Sequence, residues 1–355
     1  MLQFPLLTGP YAVGTTLRYI TEQTELSSQA EQRELMVRFW YPAEGERNLQ
    51  SPYSQQGTDA LEALNGYLSL SGKSIEEIMT HSALNIPIKQ DKWPIIFFEH
   101  GYISSMPESY TAICEELASH GFMIVAIAHT GYAFKVEFPY GKIVTCDMNK
   151  ASKMATDYYK LEDYKARLDN ITFTLNALSG YTKNANDLFF NACDMNNLGI
   201  IGHSFGGGSA LQMCLVHPLF KAGLSLDGLM IGKTVEILTK PFKFLIAEES
   251  AINFADSLKA WSTAYSIDQG FVEHACAEFK AIEEATKKTV PFVSYEIIPG
   301  TKHSSFMDLL VLKELSFYKN ETGSIMDSFI GAIDNRKTLD YINRSIVKFF
   351  KENVK

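Results

Sequence analysis

Leu198-Gly199-Ile200-Ile201-Gly202-His203-Ser204-Phe205-Gly206-Gly207-Gly208 is the stretch whose reading decides the fold. It begins as a short apolar run, passes through a Gly-x-Ser-x-Gly pattern at Gly202, Ser204 and Gly206, and runs on from Gly207 to His217 as a helical sequence. The five-residue pattern alone carries little weight. With Gly and Ser each near 7% of residues, roughly 0.1 matches are expected by chance in a chain of this length. Its position carries more. A turn from a buried strand directly into a helix is so tight that the residues two before and two after the Ser must be small. The Ser is then held in a strained conformation with its hydroxyl projecting from the sheet edge. The helix N-terminus behind it points N–H groups and the positive end of its dipole at developing negative charge. A phosphate-binding loop is the competing reading of Gly202 to Ser209, but Gly208 stands where that loop needs Lys.

Working outward, the same alternation recurs on both sides. Pro94 to Phe98 and Phe122 to Ala128 are short continuous apolar runs, as expected of strands buried on both faces. Further strands are expected at Asn197 to His203, Ala222 to Leu226, Phe242 to Ala247 and Phe292 to Ile298. Helices are expected at Ser109 to His120, 152 to 179 (with Arg167, Leu168, Ile171 and Leu175 in its pattern) and Thr338 to Glu352. Buried strands alternating with helices imply a mostly parallel, doubly wound α/β sheet. Thr16 to Thr21 and Glu34 to Tyr41 read as an antiparallel N-terminal start to it. Residues 1–355 are expected to form one domain with two insertions, at about 44–90 and 250–290, that cap the mouth of the site. In the first insertion, Thr58 to Leu70 and Ser74 to Ser82 show weak helical patterns.

Composition narrows the function classes. Hydrophobic residues make up 46% and charged residues 21% of 355, ordinary values for a globular protein. The net charge is -9, and the 32 Lys and Arg form no basic run, which argues against a nucleic-acid partner. Cys114, Cys146, Cys193, Cys214 and Cys276 are odd in number and widely spaced. Neither a disulfide scaffold nor a metal site is indicated, and no cofactor is expected. The N-terminus lacks a basic n-region and a long apolar h-region, and no run reaches the roughly 18 apolar residues of a membrane span. A cytoplasmic protein is the expectation, with signal-independent export left open. Leu68, Leu70, Trp261 and Phe271 in the insertions are candidates for transient contact with a lipid surface, although cap packing accounts for them as well.

A strand, a Ser turn and a helix in this order resemble the nucleophile turn of the α/β-hydrolase fold, in which acid and then His follow the Ser along the chain. A serine hydroxyl needs such a base at neutral pH. Three histidines follow Ser204. His217 precedes Pro218 at a helix end, and His274 lies in the charged second insertion. His303 lies in a loop directly after the last strand, where the base belongs. Two sites compete for the acid: Asp227, after the strand ending at Leu226, and Glu248 with Glu249, after the next strand. Asp227 is favoured because it is short, sits in a turn before Gly228 and follows a strand, Gly223 to Leu226, without a charged residue. The oxyanion hole should combine the Phe205 N–H with that of Tyr102, in the loop Glu99-His100-Gly101-Tyr102. His100 reads as a buried support for that loop.

Several segments then resemble, in order, the type II and plasma-type platelet-activating factor acetylhydrolases and their bacterial relatives. They are Gly9-Pro10-Tyr11-Ala12-Val13-Gly14, Arg38-Phe39-Trp40-Tyr41-Pro42, Phe98-Glu99-His100-Gly101, Ser119-His120-Gly121-Phe122 and Gly202-His203-Ser204-Phe205-Gly206-Gly207. Leu226-Asp227 with Met230, and Gly300-Thr301-Lys302-His303-Ser304-Ser305-Phe306-Met307-Asp308, complete the set. The resemblance implies a metal-independent serine esterase with Ser204, Asp227 and His303 as its triad and Tyr102 and Phe205 as oxyanion donors. Its implied substrates are short or oxidised sn-2 acyl esters of phospholipids. A general small-ester or lactone hydrolase, or an inactive hydrolase fold that only binds, are the alternatives. Gly228-Leu229 departs from the bulkier pair usual in the family, and residues 44–90 and 250–290 do not match in detail.

Overall fold

The computed structural model describes residues 2–22, 33–47, 50–53, 78–147, 161–228, 238–252, 273, 292–314 and 323–354. Strand chemistry explains its centre. In Trp93–Glu99, Ile95 and Phe97 turn to one face while Ile96 and Phe98 turn to the other, and all four are fully buried. Successive side chains of a strand point to opposite faces, so an unbroken apolar run must be covered on both sides.

Among the described residues nine strands share this sheet: β1 (Ala12–Thr21), β2 (Glu34–Ala43), β3 (Ser82–Leu84), β4 (Trp93–Glu99), β5 (Met123–Ala128), β6 (Cys193–His203), β7 (Phe220–Leu226), β8 (Phe242–Ala247) and β9 (Val293–Ile298). Their spatial order is β9-β8-β7-β6-β4-β5-β2-β1-β3. Only β2 runs against its neighbours, antiparallel to both β1 and β5, and every other adjacent pair is parallel. The expected antiparallel start is therefore present, and the sheet is parallel from β5 to β9.

Helices cover both faces. Thr111–Ser119 (α1) and Asn335–Asn353 (α4) bury Leu117, Ile342, Ile346 and Phe350 in one apolar cluster with Ile96 and Phe98. Leu161–Tyr181 (α2) and Phe205–Val216 (α3) bury Ile171, Leu175, Leu211 and Met213 in a second cluster with Ile95 and Phe97. This is the doubly wound α/β-hydrolase arrangement.

One part of the first insertion differs from its expected form. Residues 78–82, expected to close a helix, instead hold the strand Ile78–Thr80, and Ser82–Leu84 extends the main sheet as β3 beside β1. The reason is tertiary. Buried Glu115 of α1 accepts the backbone N–H groups of His81 (3.1 Å) and Ser82 (2.8 Å), which holds the chain extended against α1. A weak local helical preference cannot compete with such partners. The remaining insertion readings, namely Thr58 to Leu70, most of 250–290, and the side chains of Leu68, Leu70, Trp261, Phe271 and His274, lie outside the described residues. Among the described residues no helix is long and apolar enough to cross a membrane.

Candidate active site

Ser204 stands where β6 ends and α3 begins, with φ 55° and ψ -124°. A non-glycine residue at positive φ is costly and persists only where its surroundings over-determine it. Here they do. A Cβ on Gly202 would lie 2.1 Å from the Gly206 oxygen, and one on Gly206 would lie 2.1 Å from the Glu99 oxygen. The turn is therefore wedged between its own helix and the end of β4. Gly206→Ala should lower unfolding free energy by about 3 kcal/mol or more, the upper range for overpacking, because the new Cβ would meet Glu99 O, Glu99 C and His100 O, all backbone atoms. Chemical denaturation of wild type and variant measures this.

The parallel register places the other candidates beside the Ser. His203 pairs with Leu226, and the Ser204 N–H donates to the Leu226 oxygen at 3.0 Å. Asp227, the next residue, also has positive φ (46°), and its N–H donates to Leu245 O at 2.7 Å. Ser204 and Asp227 thus leave the carboxyl ends of adjacent parallel strands, the usual location of ligand sites in open α/β sheets. His303 arrives from the loop after β9, in the 3₁₀ turn His303–Phe306.

His303 and Asp227 are joined directly. His303 Nδ1–H donates to Asp227 Oδ2 at 2.6 Å. Oδ2 also accepts the Ser250 hydroxyl at 2.8 Å, and Oδ1 accepts the Ala247 N–H at 2.9 Å. Burial opposes charge on Asp227, but the His303 hydrogen bond and charge, with the Ala247 and Ser250 donors, outweigh it and hold the carboxyl below its ordinary value. The rival carboxylates face elsewhere: Glu248 accepts the Gly300 N–H at 2.9 Å, and Glu249 pairs with Lys302 at 3.3 Å. Glu248 braces the backbone and Glu249 the Lys302 side chain of the loop that carries His303, while Asp227 holds the imidazole.

A second hydrogen-bond chain links the His303 loop to the loop after β4. Gly101 N–H donates to Tyr110 Oη (3.2 Å), the Tyr110 hydroxyl donates to His203 Nδ1 (2.8 Å), and His203 Nε2–H donates to the His303 oxygen (2.9 Å). Burial, followed by the charge of His303, lowers the His203 pKa to about 3, so the ring stays neutral and keeps one donor and one acceptor. The His203 and His303 rings lie 4.6 Å apart. Tyr110→Phe should cost about tenfold in kcat at nearly constant KM, because it breaks this chain at its centre without emptying volume; steady-state kinetics on a chromogenic ester tests it.

The loop after β4 packs on the Ser. A Cβ on Gly101 would meet the Ser204 Cβ at 3.4 Å. Phe205 is the first residue of α3, so its N–H lies at the exposed end of the helix dipole. His100 is a loop support, as its sequence position suggests: its Nδ1–H donates to the Gly101 oxygen (2.6 Å) and its Nε2 accepts the His129 N–H (3.1 Å). His217 caps the end of α3, its N–H on the Met213 oxygen.

A sequence model of the family described as "Platelet-activating factor acetylhydrolase, isoform II" matches residues 1–160 and 179–355. The chain belongs to this family. Relatives include the platelet-activating factor acetylhydrolases of Cavia porcellus (25% identical, spanning 97% of this chain and 76% of the relative) and of Canis lupus familiaris (22%, spanning 99% and 77%). Among solved structures, a ferulic acid esterase from Streptomyces cinnamoneus superposes with a TM-score of 0.72 at 20% identity, over 99% of this chain and 93% of that one. The last likeness shows the fold. Family membership makes the protein a carboxylic ester hydrolase.

The loop that carries His303 ends in a buried carboxylate. Asp308 Oδ2 accepts the Thr111 N–H (2.8 Å) and the Tyr53 hydroxyl (3.0 Å), Oδ1 accepts the Ala112 N–H (3.0 Å), and the Asp308 N–H donates to Ser109 O (2.8 Å). One side chain thus satisfies the first N–H groups of α1 and fixes the His303 loop to the segment beyond the His100–Tyr102 loop. Burial raises its pKa to about 7 against these donors. Asp308→Ala should lower stability by about 1–3 kcal/mol for each buried donor left without an acceptor, read as a fall in the denaturant midpoint.

Four side chains of the site escape a reading of the sequence. Tyr110, the His203 ring, Ser250 and Arg167 act through partners far away in the chain. Only Arg167 leaves a trace. It shares the stripe of Ile171, Leu175 and Leu178, all buried, so a cation occupies an apolar helix face.

Proposed function

We propose that this protein hydrolyses carboxylic esters through an acyl-enzyme on Ser204, with short or oxidised sn-2 acyl groups of phospholipids as its substrate class. The observation that carries the mechanism is the 2.6 Å bond from His303 Nδ1 to a buried, triply hydrogen-bonded Asp227 beside the strained Ser204 turn. With Nδ1 committed as donor, His303 offers Nε2 as the basic nitrogen. Nε2 takes the proton of the Ser204 hydroxyl as Oγ bonds to the ester carbonyl carbon. The carbonyl π electrons pass to oxygen, and that oxyanion meets the Phe205 and Tyr102 N–H groups. The intermediate collapses, the C–O bond to the alcohol breaks, and His303 returns its proton to the departing oxygen. A water then enters, loses a proton to His303 and attacks the acyl carbon; collapse frees the carboxylic acid and restores Ser204. Asp227 stays ionised throughout and stabilises the imidazolium.

The substrate class rests on family membership, the matching relatives being named for platelet-activating factor acetyl hydrolysis. A series of p-nitrophenyl esters of increasing acyl length, run beside phospholipids labelled at sn-2, tests it. kcat/KM should be highest for two- to four-carbon acyl groups and higher on the phospholipid than on the matched p-nitrophenyl ester. A flat chain-length profile with no phospholipid turnover would assign a general small-ester hydrolase instead. An intact protein that a fluorophosphonate does not label at Ser204 would leave a binding protein.

A further inference from the structure

Arg167 is a fully buried arginine on the apolar stripe of α2, and the mechanism above gives it no part. Its guanidinium reaches the backbone of the loop after β4. Nη1–H donates to the His100 oxygen at 2.6 Å and Nη2–H to the Gly101 oxygen at 3.1 Å. The group is flanked by rings, with its centre 4.6 Å from the Phe205 ring centroid and 5.4 Å from that of Tyr132. From behind, Glu99 Oε2 lies 4.0 Å from Nη1 and accepts His129 Nε2–H at 2.6 Å; His129 Nδ1 accepts from Asn170 at 3.2 Å.

These two carbonyls set the direction of the Tyr102 N–H. A trans peptide points its C=O and its N–H in opposite directions, and no cis peptide occurs among the described residues. The Gly101 carbonyl is gripped by two donors, Arg167 Nη2 and His100 Nδ1. That fixes the Gly101–Tyr102 peptide plane and turns the Tyr102 N–H away from Arg167. The Gly101 N–H is committed to Tyr110, and Ile103 N–H donates to the Tyr132 oxygen at 3.2 Å, so the loop is held on both sides of that plane. The same guanidinium rests on Phe205, whose N–H is the other candidate donor. One cation therefore contacts the carbonyl of the peptide that carries the Tyr102 N–H and the ring of the residue that carries the other.

We propose that Arg167 is the positioning residue of the oxyanion hole, aiming the Tyr102 N–H at the Ser204 side by holding the His100 and Gly101 carbonyls while it stacks on Phe205. The proposal rests on the reading of Ser204 as nucleophile and Tyr102 as a donor. Two carbonyls met by one planar fork between two rings is a geometry that guanidinium supplies and a lysine ammonium does not.

Arg167→Lys keeps the charge and loses the fork. Active sites are counted by the end-point of fluorophosphonate labelling, so that kcat is expressed per competent Ser204. The variant should then lose about 10²- to 10³-fold in kcat, the scale of a lost oxyanion donor, with KM within threefold. Its affinity for a trifluoromethyl ketone, whose hemiketal oxyanion needs the hole, should fall by the same factor. Its affinity for the matched methyl ketone should not change. A purely structural role would lower the count of competent sites and leave kcat per site alone. The proposal is overturned if kcat per site stays within threefold of wild type, or if kcat falls while trifluoromethyl ketone affinity is unchanged. If Arg167→Lys yields no folded enzyme, His100→Ala removes the second donor to the same carbonyl and should cost about tenfold in kcat at constant KM; unchanged kcat there overturns the proposal. Absence of Ser204 labelling in the wild type would instead overturn the underlying nucleophile assignment.

Discussion

Ser204→Ala should reduce kcat by about 10⁶, or roughly 8 kcal/mol of transition-state stabilisation, and leave a folded protein. The alanine removes one oxygen from a partly buried position, so no cavity of consequence forms. Alanine also relieves nothing in the turn, because the strain at φ 55° belongs to any residue with a Cβ. Activity should collapse while the thermal midpoint moves by no more than a few degrees. A residual rate over uncatalysed hydrolysis should persist, since the Phe205 and Tyr102 donors and the binding surfaces are untouched. The measurement is kcat on a short-chain chromogenic ester, with mass spectrometry of the fluorophosphonate-treated protein. Wild type should carry one adduct at Ser204 and the variant none. Retention of more than a hundredth of the activity would assign the nucleophile elsewhere.

Asp227→Asn should cost about 10⁴ in kcat, roughly 5 kcal/mol. Oδ1 and Oδ2 accept three hydrogen bonds: His303 Nδ1, Ser250 Oγ and Ala247 N. An amide keeps one accepting oxygen. If its nitrogen faces His303, the ring must accept at Nδ1 and carry its proton on Nε2, the wrong nitrogen for a base. If its oxygen faces His303, the amide nitrogen opposes the Ala247 N–H. Either way, charge stabilisation of the imidazolium is lost. The sign of the pH effect is set by the depressed Asp227 pKa. A carboxyl lowered on folding contributes stability that is present above its unfolded pKa and lost as pH falls through its folded one. Wild type should therefore lose this contribution only below the ordinary aspartate range, and the stability difference between wild type and Asp227→Asn should be constant at neutral pH and shrink in acid. Urea midpoints of both proteins across pH 3–8, beside their kcat values, check both parts. If Glu248→Gln proved as damaging as Asp227→Asn, the acid would have to be reassigned.

Local chemistry made the sheet legible. Continuous apolar runs such as Pro94 to Phe98 and Phe122 to Ala128 have one stable fate, burial between two helical layers. A Ser between glycines at the end of such a run has few turns open to it. The boundaries that shifted are those where caps decide: α3 begins at Phe205, three residues after Gly202, because the Gly202 and Gly206 backbones touch. The N-terminal part of the site was legible for the same reason, since His100 and Gly101 come directly after an unmistakable strand.

What stayed hidden depends on pairs far apart in sequence. A short side chain in a turn favours Asp227 over Glu248 and Glu249 in the sequence, but strand order alone leaves the choice open, because both sites directly follow strands. It turns on which carboxylate the base loop reaches, 76 residues from Asp227. Ser82–Leu84 became an edge strand because Glu115, 33 residues from Ser82, accepts the Ser82 N–H. Arg167 met the His100 and Gly101 carbonyls across 67 and 66 residues. By itself the sequence determined a parallel sheet between helices and a serine on the turn leaving it, because hydrophobic period and glycine sterics act within a few residues. Only the tertiary structure shows Asp227 on His303 Nδ1 and Arg167 on the His100 and Gly101 carbonyls, because a hydrogen bond is fixed by distance in space and no local pattern records it.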